Sequence, residues 1–199
     1  MAMRSRPATP EDASAIAGIY NEGIEDRLAT FETRLRTAED VRKWLDGVHP
    51  VVVVENDGRI VAFAATSIYR PRECYAGIAE FSVYVARAER GRGIGKIAMQ
   101  ALIEAAEHAG FWKLVSRIFV ENTASRRLLV SCRFREVGIY EKHGKLDGNW
   151  RDVVVVEKVL DANVRQNSTA KPIDLPRERG HENTLISPCF PLYWAEHRS

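Results

Sequence analysis

The run Ala79-Glu80-Phe81-Ser82-Val83-Tyr84-Val85, then Arg90-Gly91-Arg92-Gly93-Ile94-Gly95, then an apolar-periodic segment from Lys96 to Ala109, decides how the rest of the chain is read. Alternating apolar residues with a β-branched bias predict a strand over the first part. Beyond the turn, Ile94, Ile97, Ala98, Ala101, Leu102, Ala105 and Ala109 recur at helical spacing, which predicts a helix stopped at Gly110. Glycines between strand and helix let the backbone approach a ligand closely. The helix start adds unpaired N–H groups and the positive end of a dipole. That combination suits phosphate. Two familiar phosphate motifs fail on spacing. A P-loop needs four residues between its first glycine and Gly-Lys, then Ser or Thr; Gly91 and Gly95-Lys96 enclose three, and Ile97 follows. The dinucleotide fingerprint Gly-x-Gly-x-x-Gly fails too, because the third glycine arrives one residue early. A flexible basic turn ahead of a core helix is the plainer reading of the same residues.

Working outward, 199 residues with 45% apolar content suffice for one substantial core plus an appendage. The net charge of +2 comes from interspersed signs, which argues against a nucleic-acid-binding stripe. Cys74, Cys132 and Cys189 lie far apart and form no Cys-x-x-Cys pair, so neither a disulfide framework nor a zinc site is expected. No metal is implied. Met1 to Arg6 lacks an apolar signal region, and no apolar run is long enough to span a membrane. A reducing cytoplasm fits these features.

In chain order, Met3 to Ala8 reads as a strand, and Thr9-Pro10-Glu11-Asp12 as a helix start with a cap, an N1 proline and acidic residues. The helix that follows buries Ile16, Ile19 and Tyr20. Asn21 to Glu32 is too irregular for a single helix and rich in functional groups. Thr37 opens a second helix with Val41, Trp44 and Leu45. Val51 to Glu55 is a buried strand, turned by Asn56-Asp57-Gly58 into a partner from Arg59 to Ser67. A proline-bearing loop from Tyr69 to Tyr75 precedes the central stretch. Trp112 to Val120 predicts a strand, Asn122 to Ser131 a short capped helix, and Glu136 to Lys142 with Asn149 to Leu160 a closing antiparallel pair. The order β-α-α-β-β-β-α-β-α-β-β predicts an α/β (α+β) domain over residues 1–160 with a mixed sheet. Residues 161–199, with four prolines and no sustained period, read as a flexible tail in which Phe190 to Trp194 could dock on a surface.

Within this order several blocks fit one family. Arg90, Gly93 and Gly95 fill Arg/Gln-x-x-Gly-x-Gly/Ala, the pyrophosphate loop of the GCN5-related N-acetyltransferases (GNAT). Ile19 to Glu22, Thr30 to Glu32, Glu80 with Ser82 to Val85, Asn122 with Ser125, Phe134 to Gly138 and Trp150 to Val153 follow in matching order. The first ~160 residues thus resemble a GNAT enzyme, and within the family its phosphinothricin/arsinothricin N-acetyltransferase branch. The resemblance implies a mostly antiparallel sheet splayed at an acetyl-CoA site. Val83, Tyr84 and Val85 would pair with the pantetheine arm through their backbone, with an N–H there as oxyanion donor. Gly91, Gly93, Ile94, Gly95 and Lys96 would hold the pyrophosphate through amides, with Arg90 and Arg92 adding charge. Asn122 and Ser125 would hydrogen-bond the coenzyme, although helix capping explains them as well.

Acetyl transfer to an amine needs a neutral nucleophile, and a primary amine is mostly protonated at pH 7. Glu80 is the expected base, against the plain alternative of a solvent-facing strand glutamate; Glu22, Glu32 and Glu73 are weaker candidates. The resemblance places Arg70 and Arg72, near Tyr75, as a clamp for the acidic group of a small glutamate-like amino acid, with Arg72 ahead, against the plain alternative of a solvated loop. Thr30, Phe31 and Asn21 would line the same cleft. Two departures stand out. Leu129 occupies the position where relatives carry Tyr or His as general acid, so no acid is assigned; a thiol of pKa ~8.5 leaves without one. Cys132-Arg133-Phe134 replaces the usual Leu-Gly-Phe, and a side chain at that left-handed helix end costs roughly 1–2 kcal/mol. By resemblance the chain is expected to form a homodimer. Acetylation of a peptide or protein N-terminus, and coenzyme binding without turnover, are the rival readings.

Overall fold

The structure, a computed structural model, describes residues 3–166. Its elements are β1 (Arg4–Pro7), α1 (Ala13–Glu25), α2 (Ala38–Arg42), β2 (Val51–Asn56), β3 (Arg59–Ile68), β4 (Ile78–Val85), α3 (Ile94–His108), β5 (Lys113–Phe119), α4 (Thr123–Ser131), β6 (Arg135–Leu146), β7 (Asn149–Val159) and α5 (Asp161–Gln166). The seven strands form one sheet in the order β1-β2-β3-β4-β5-β7-β6, antiparallel except for β4 beside β5. This is the mixed α/β architecture expected from the element order.

Both faces of the sheet are covered, which explains why β2 reads as an unbroken valine run. Val52 and Val54, with Ala62 and Ala64 of β3, face α3 and its buried Ala98, Met99, Leu102 and Ala106. Val51, Val53, Phe63 and Ala65 face the other way, against Ile16, Tyr20 and Ile24 of α1 and Trp44 beyond α2. Tyr20, Phe63 and Tyr84 form an aromatic cluster there, Tyr20 edge-on to Tyr84 at 4.8 Å and Phe63 stacked on it at 5.4 Å.

Two sequence expectations change. Asn21 to Glu25 is the last part of α1 rather than irregular chain, because Ile24 is buried and Gly23 lets the helix lie directly on the Tyr84 ring. At the other end, α5 extends the fold past Leu160. Buried Asn163 donates its amide to the Glu107 and Phe111 carbonyls, at distances of 2.7 and 2.8 Å, satisfying acceptors at the end of α3. The remainder of the expected tail, residues 167–199, lies outside the described residues.

The unusual Arg133 does adopt the left-handed conformation, with φ 63°, just after α4. Replacing Arg133 with Gly removes the Cβ strain there, partly offset by glycine's larger loss of chain entropy. Urea denaturation is expected to show a gain of about 0.5–1 kcal/mol with an unchanged m-value.

Candidate active site

The site begins where two strands part. β4 and β5 pair only through Ile78–Lys113, Ala79–Leu114 and Glu80–Val115. Beyond that point β4 stays with β3 as far as Val85, while β5 stays with β7 as far as Phe119. A wedge therefore opens from Phe81 and Ser116 onward, lined by Ser82, Val83, Tyr84, Ile118, Asn122 and Ser125. On this side of β4, sheet pairing ends and peptide groups face the wedge. The Ser82 hydroxyl oxygen, buried in the same wall, has no hydrogen-bond partner among the described residues. Buried polar groups rarely stay unpaired, so this wall fits a ligand with its own donors and acceptors.

At the wide end, β4 runs into the glycine turn. Gly91 and Gly93 have φ of 78° and 80°, in the left-handed region where a side chain is strained, and Gly93 is the N-cap of the 15-residue α3. The turn thus aims free amides of a long helix at the wedge, the arrangement that attracts phosphate. The two arginines contribute less free charge than the sequence suggested. Arg90 donates to the Val85 carbonyl at 3.1 Å and pairs with Asp26 at 2.5 Å, so it braces the turn against the end of α1. Arg92 is exposed and pairs with Glu89 at 2.8 Å, a surface pair of small worth that an anion can displace. Lys96 is exposed in the first turn of α3. Tyr84 contributes only its backbone on this side, since its ring packs in the core beneath α1.

At the narrow end sits Glu80. It is 5% exposed and bonded through Oε1 to the Arg117 guanidinium of β5, so the solvent-facing alternative does not hold. Burial pushes its carboxyl above the usual glutamate range; the charges of Arg117 and Arg70 oppose this without reversing it. Arg117 escaped the sequence reading, although one signal for it exists. It lies two residues beyond Val115, the register partner of Glu80, and period-2 alternation puts it on that same side. His143 also belongs here. It is solvent-exposed, and partial desolvation and the Arg117 charge hold its imidazole below the usual histidine range. It rides on an irregularity of β6 where the Lys142 amide donates to Asp152 at 2.7 Å.

The acceptor loop reaches this end only in part. Arg70 acts on Glu80 electrostatically, its guanidinium 5.4 Å from the Tyr69 ring centroid, and Tyr69 meets Tyr75 edge-on at 5.8 Å. Arg72 is exposed at the start of a 3-10 turn. Phe31 packs edge-on to Phe119 at 4.7 Å and lies over Gly144, closing the β6–β7 side. Three polar residues expected to contact ligands are engaged elsewhere. The Asn21 side chain is fully used on the Arg36 backbone, at 2.9 and 2.8 Å. The Thr30 hydroxyl is buried and accepts the Glu32 amide at 3.1 Å. Asn122 caps α4 through Ser125 N–H at 3.1 Å and donates to the Leu28 carbonyl at 3.0 Å. For Asn122 the capping reading therefore holds, while its position on the wedge, beside Ser125, also stands. Of the weaker candidate bases, Glu32 is committed to Arg36 in a buried pair at 2.5 Å, and Glu22 accepts the Arg87 amide at 2.5 Å.

A sequence model of the Acetyltransferase (GNAT) family matches residues 17–134, from α1 through the glycine turn to the start of β6. The chain belongs to the GNAT family. This GNAT chain is 33% identical over 162 residues to a phosphinothricin N-acetyltransferase of Streptomyces coelicolor, spanning 78% of this chain and 95% of the relative. Among solved structures it is similar to a GNAT-superfamily phosphinothricin acetyltransferase from Sinorhizobium meliloti in complex with acetyl-CoA. That match has TM-score 0.77 and 25% identity, over 86% of this chain and 94% of that one. It is also similar to a ribosomal-protein-alanine N-acetyltransferase from Brucella melitensis, with TM-score 0.75 and 35% identity over 79% and 99%. The chain is an acetyl-CoA-dependent N-acetyltransferase. Its residues fit that cosubstrate: an unpaired strand edge with an orphaned hydroxyl stands beside a glycine turn at the head of a helix.

Replacing Gly93 with Ala places a Cβ at φ 80° and strains the turn by about 1–2 kcal/mol. The KM for acetyl-CoA is expected to rise roughly five- to thirtyfold at nearly constant kcat, in a steady-state assay that follows released thiol.

Proposed function

We propose that this GNAT enzyme acetylates the α-amine of a small glutamate-like amino acid of the phosphinothricin, arsinothricin or methionine sulfone type, a detoxifying activity, with Glu80 as general base. The observation that carries the reading is the buried Glu80 carboxylate at the closed end of the wedge, flanked by cations. The names of similar enzymes supply the phosphinothricin member of this acceptor class. In this reading Val83 to Val85 and Ser82 orient the pantetheine arm, Gly91 to Lys96 hold the pyrophosphate, and Asn122 with Ser125 borders the coenzyme. Acetyl-CoA supplies the acyl carbon, and coenzyme A is the thiolate leaving group. The residues do the rest. Glu80 takes one proton from the incoming ammonium, the freed nitrogen lone pair forms the C–N bond as the C–S bond breaks, and the second proton shed by the newly acylated nitrogen passes to the departing thiolate or to solvent. Arg70 and Arg72 hold the acceptor's acidic group, and Phe31 closes the pocket. Leaving as a thiolate of reference pKa ~8.5, the sulfur needs no dedicated donor.

We extend the proposal to a homodimer and a cytoplasmic location. Edge strand β6 exposes the apolar side chains of Val137, Ile139 and Tyr140 at the end of the sheet, an edge suited to a second copy. Cys74 and Cys132 are free thiols, and no helix of the described residues is long and apolar enough to cross a membrane. A second reading, acetylation of an alanine-starting protein N-terminus, draws on the similarity to the Brucella melitensis enzyme.

Thiol release measured with phosphinothricin, methionine sulfone and an alanine-starting peptide separates the readings. Turnover with the amino acids but not the peptide is expected, and the reverse would transfer the assignment to the second reading. Glu80→Gln is expected to lower kcat about 10²–10⁴-fold while sparing acetyl-CoA affinity. Arg72→Ala should act on the acceptor KM and leave kcat near its original value. Because the Glu80 pKa is raised, protonation disables the base over a range beginning above the ordinary glutamate value of ~4.3. The acidic limb of kcat/KM should therefore fall above that value.

A further inference from the structure

A base that lives in a closed wedge faces a conflict. Removal from water favours the neutral acid, which cannot accept a proton from an ammonium group. Glu80 meets this condition at the point where β4 and β5 separate. The opposing charge must come from the protein itself, and two arginines supply it. Arg70 approaches from an exposed loop and acts only at a distance. Arg117 is different: it stands on β5, its side chain is 24% exposed, and its Nη2 donates directly to Glu80 Oε1.

The placement of Arg117 follows from the fork itself. Val115 is the last residue of β5 in register with β4, so Arg117, two residues on, is the first on that side to stand inside the opening. Its backbone is still tied to β7 opposite Val155, which gives the guanidinium a rigid base. A guanidinium stays charged at every relevant pH, so its effect on Glu80 does not switch off. With Oε1 committed, the carboxylate torsion is fixed, and among the described residues no hydrogen bond is made to Oε2. The third titratable group nearby, His143, is exposed on β6, where partial desolvation and the Arg117 charge favour its neutral form.

We propose that Arg117 is a positioning residue of the transfer reaction: it keeps the Glu80 carboxylate charged and turned so that Oε2 meets the acceptor amine. The proposal rests on the reading of Glu80 as base. Arg117 itself exchanges no proton; it determines the pH range in which Glu80 works and the angle from which Glu80 works. The competing role, a direct clamp on the acceptor's acidic group, would leave Glu80 unaffected and show in acceptor binding alone.

Arg117→Gln and Arg117→Lys, compared with Glu80→Gln, test this through pH profiles of kcat and kcat/KM and through carbon-13 NMR titration of the Glu80 side chain. In Arg117→Gln the acidic limb should move to higher pH by about 1–3 pH units, the range that loss of an adjacent opposite charge produces. At pH 7 kcat should fall at least tenfold, with acceptor KM changed less than about threefold. Arg117→Lys keeps the charge but loses the planar fork, so it should restore the limb while kcat stays below that of the unaltered enzyme. An unmoved limb in Arg117→Gln, or a raised acceptor KM at constant kcat, would overturn the proposal. If Glu80→Gln keeps its turnover, the base assignment fails separately. The NMR titration then decides the pairing by itself: a higher Glu80 pKa in Arg117→Gln supports the coupling, and an unchanged one removes it.

Discussion

The fold is arranged around a break in hydrogen bonding. Elsewhere in the sheet each strand finds a partner along most of its length, but β4 and β5 separate after a three-residue parallel contact. Unpaired peptide groups are costly away from water, so the break persists only because the outer partners of both strands remain in register. β3 holds β4 to its end and β7 holds β5 to its end. The helices seal the two faces, α3 on one and α1 on the other. What is left open is a wedge whose walls are main chain, with a helix mouth at the wide end and a carboxylate at the narrow end.

The narrow end is a contest between desolvation and charge. Burial raises the Glu80 pKa, Arg117 and Arg70 pull it back, and the balance stays on the raised side. A carboxylate held tightly by arginine is a weaker base, and burial without a cation favours the protonated acid. The observed arrangement lies between these limits. The wide end follows a different logic, since Arg90 and Arg92 are engaged by Asp26 and Glu89 and the turn presents amides rather than bare charge.

Much of this was legible from residues alone. Alternation in Phe81 to Val85, the i, i+4 pattern of α3 and the Asn56-Asp57-Gly58 turn are local signals, and the elements follow them closely. The placement of the glycine turn and of Glu80 was legible for the same reason: both are set by position within one contiguous stretch. Legibility failed where a side chain's partner is distant in sequence. Asn21 looked like a ligand contact because nothing in its neighbourhood announces Arg36 as its partner. Arg90 looked like free charge because Asp26 lies on another element. Arg117 drew no notice, because only the parallel register with β4, a tertiary fact, brings it to Glu80. The helical end of α1 was missed because Gly23 and Asn21 are poor helix formers, and contact with Tyr84 outweighs that preference.

Helix α1 touches both ends of the wedge. Asp26, its C-cap, anchors Arg87 and Arg90 on the approach to the glycine turn, while Asn21, just over a turn earlier, fixes the backbone of the loop that carries Thr30 and Phe31. One rigid rod thus serves two compartments, and a displacement of it is felt in both. Whatever free energy one substrate gives to a particular setting of that rod is returned, by the same factor, in the affinity for the other. Linkage of this kind makes the two occupancies reciprocal without any contact between the molecules that fill them.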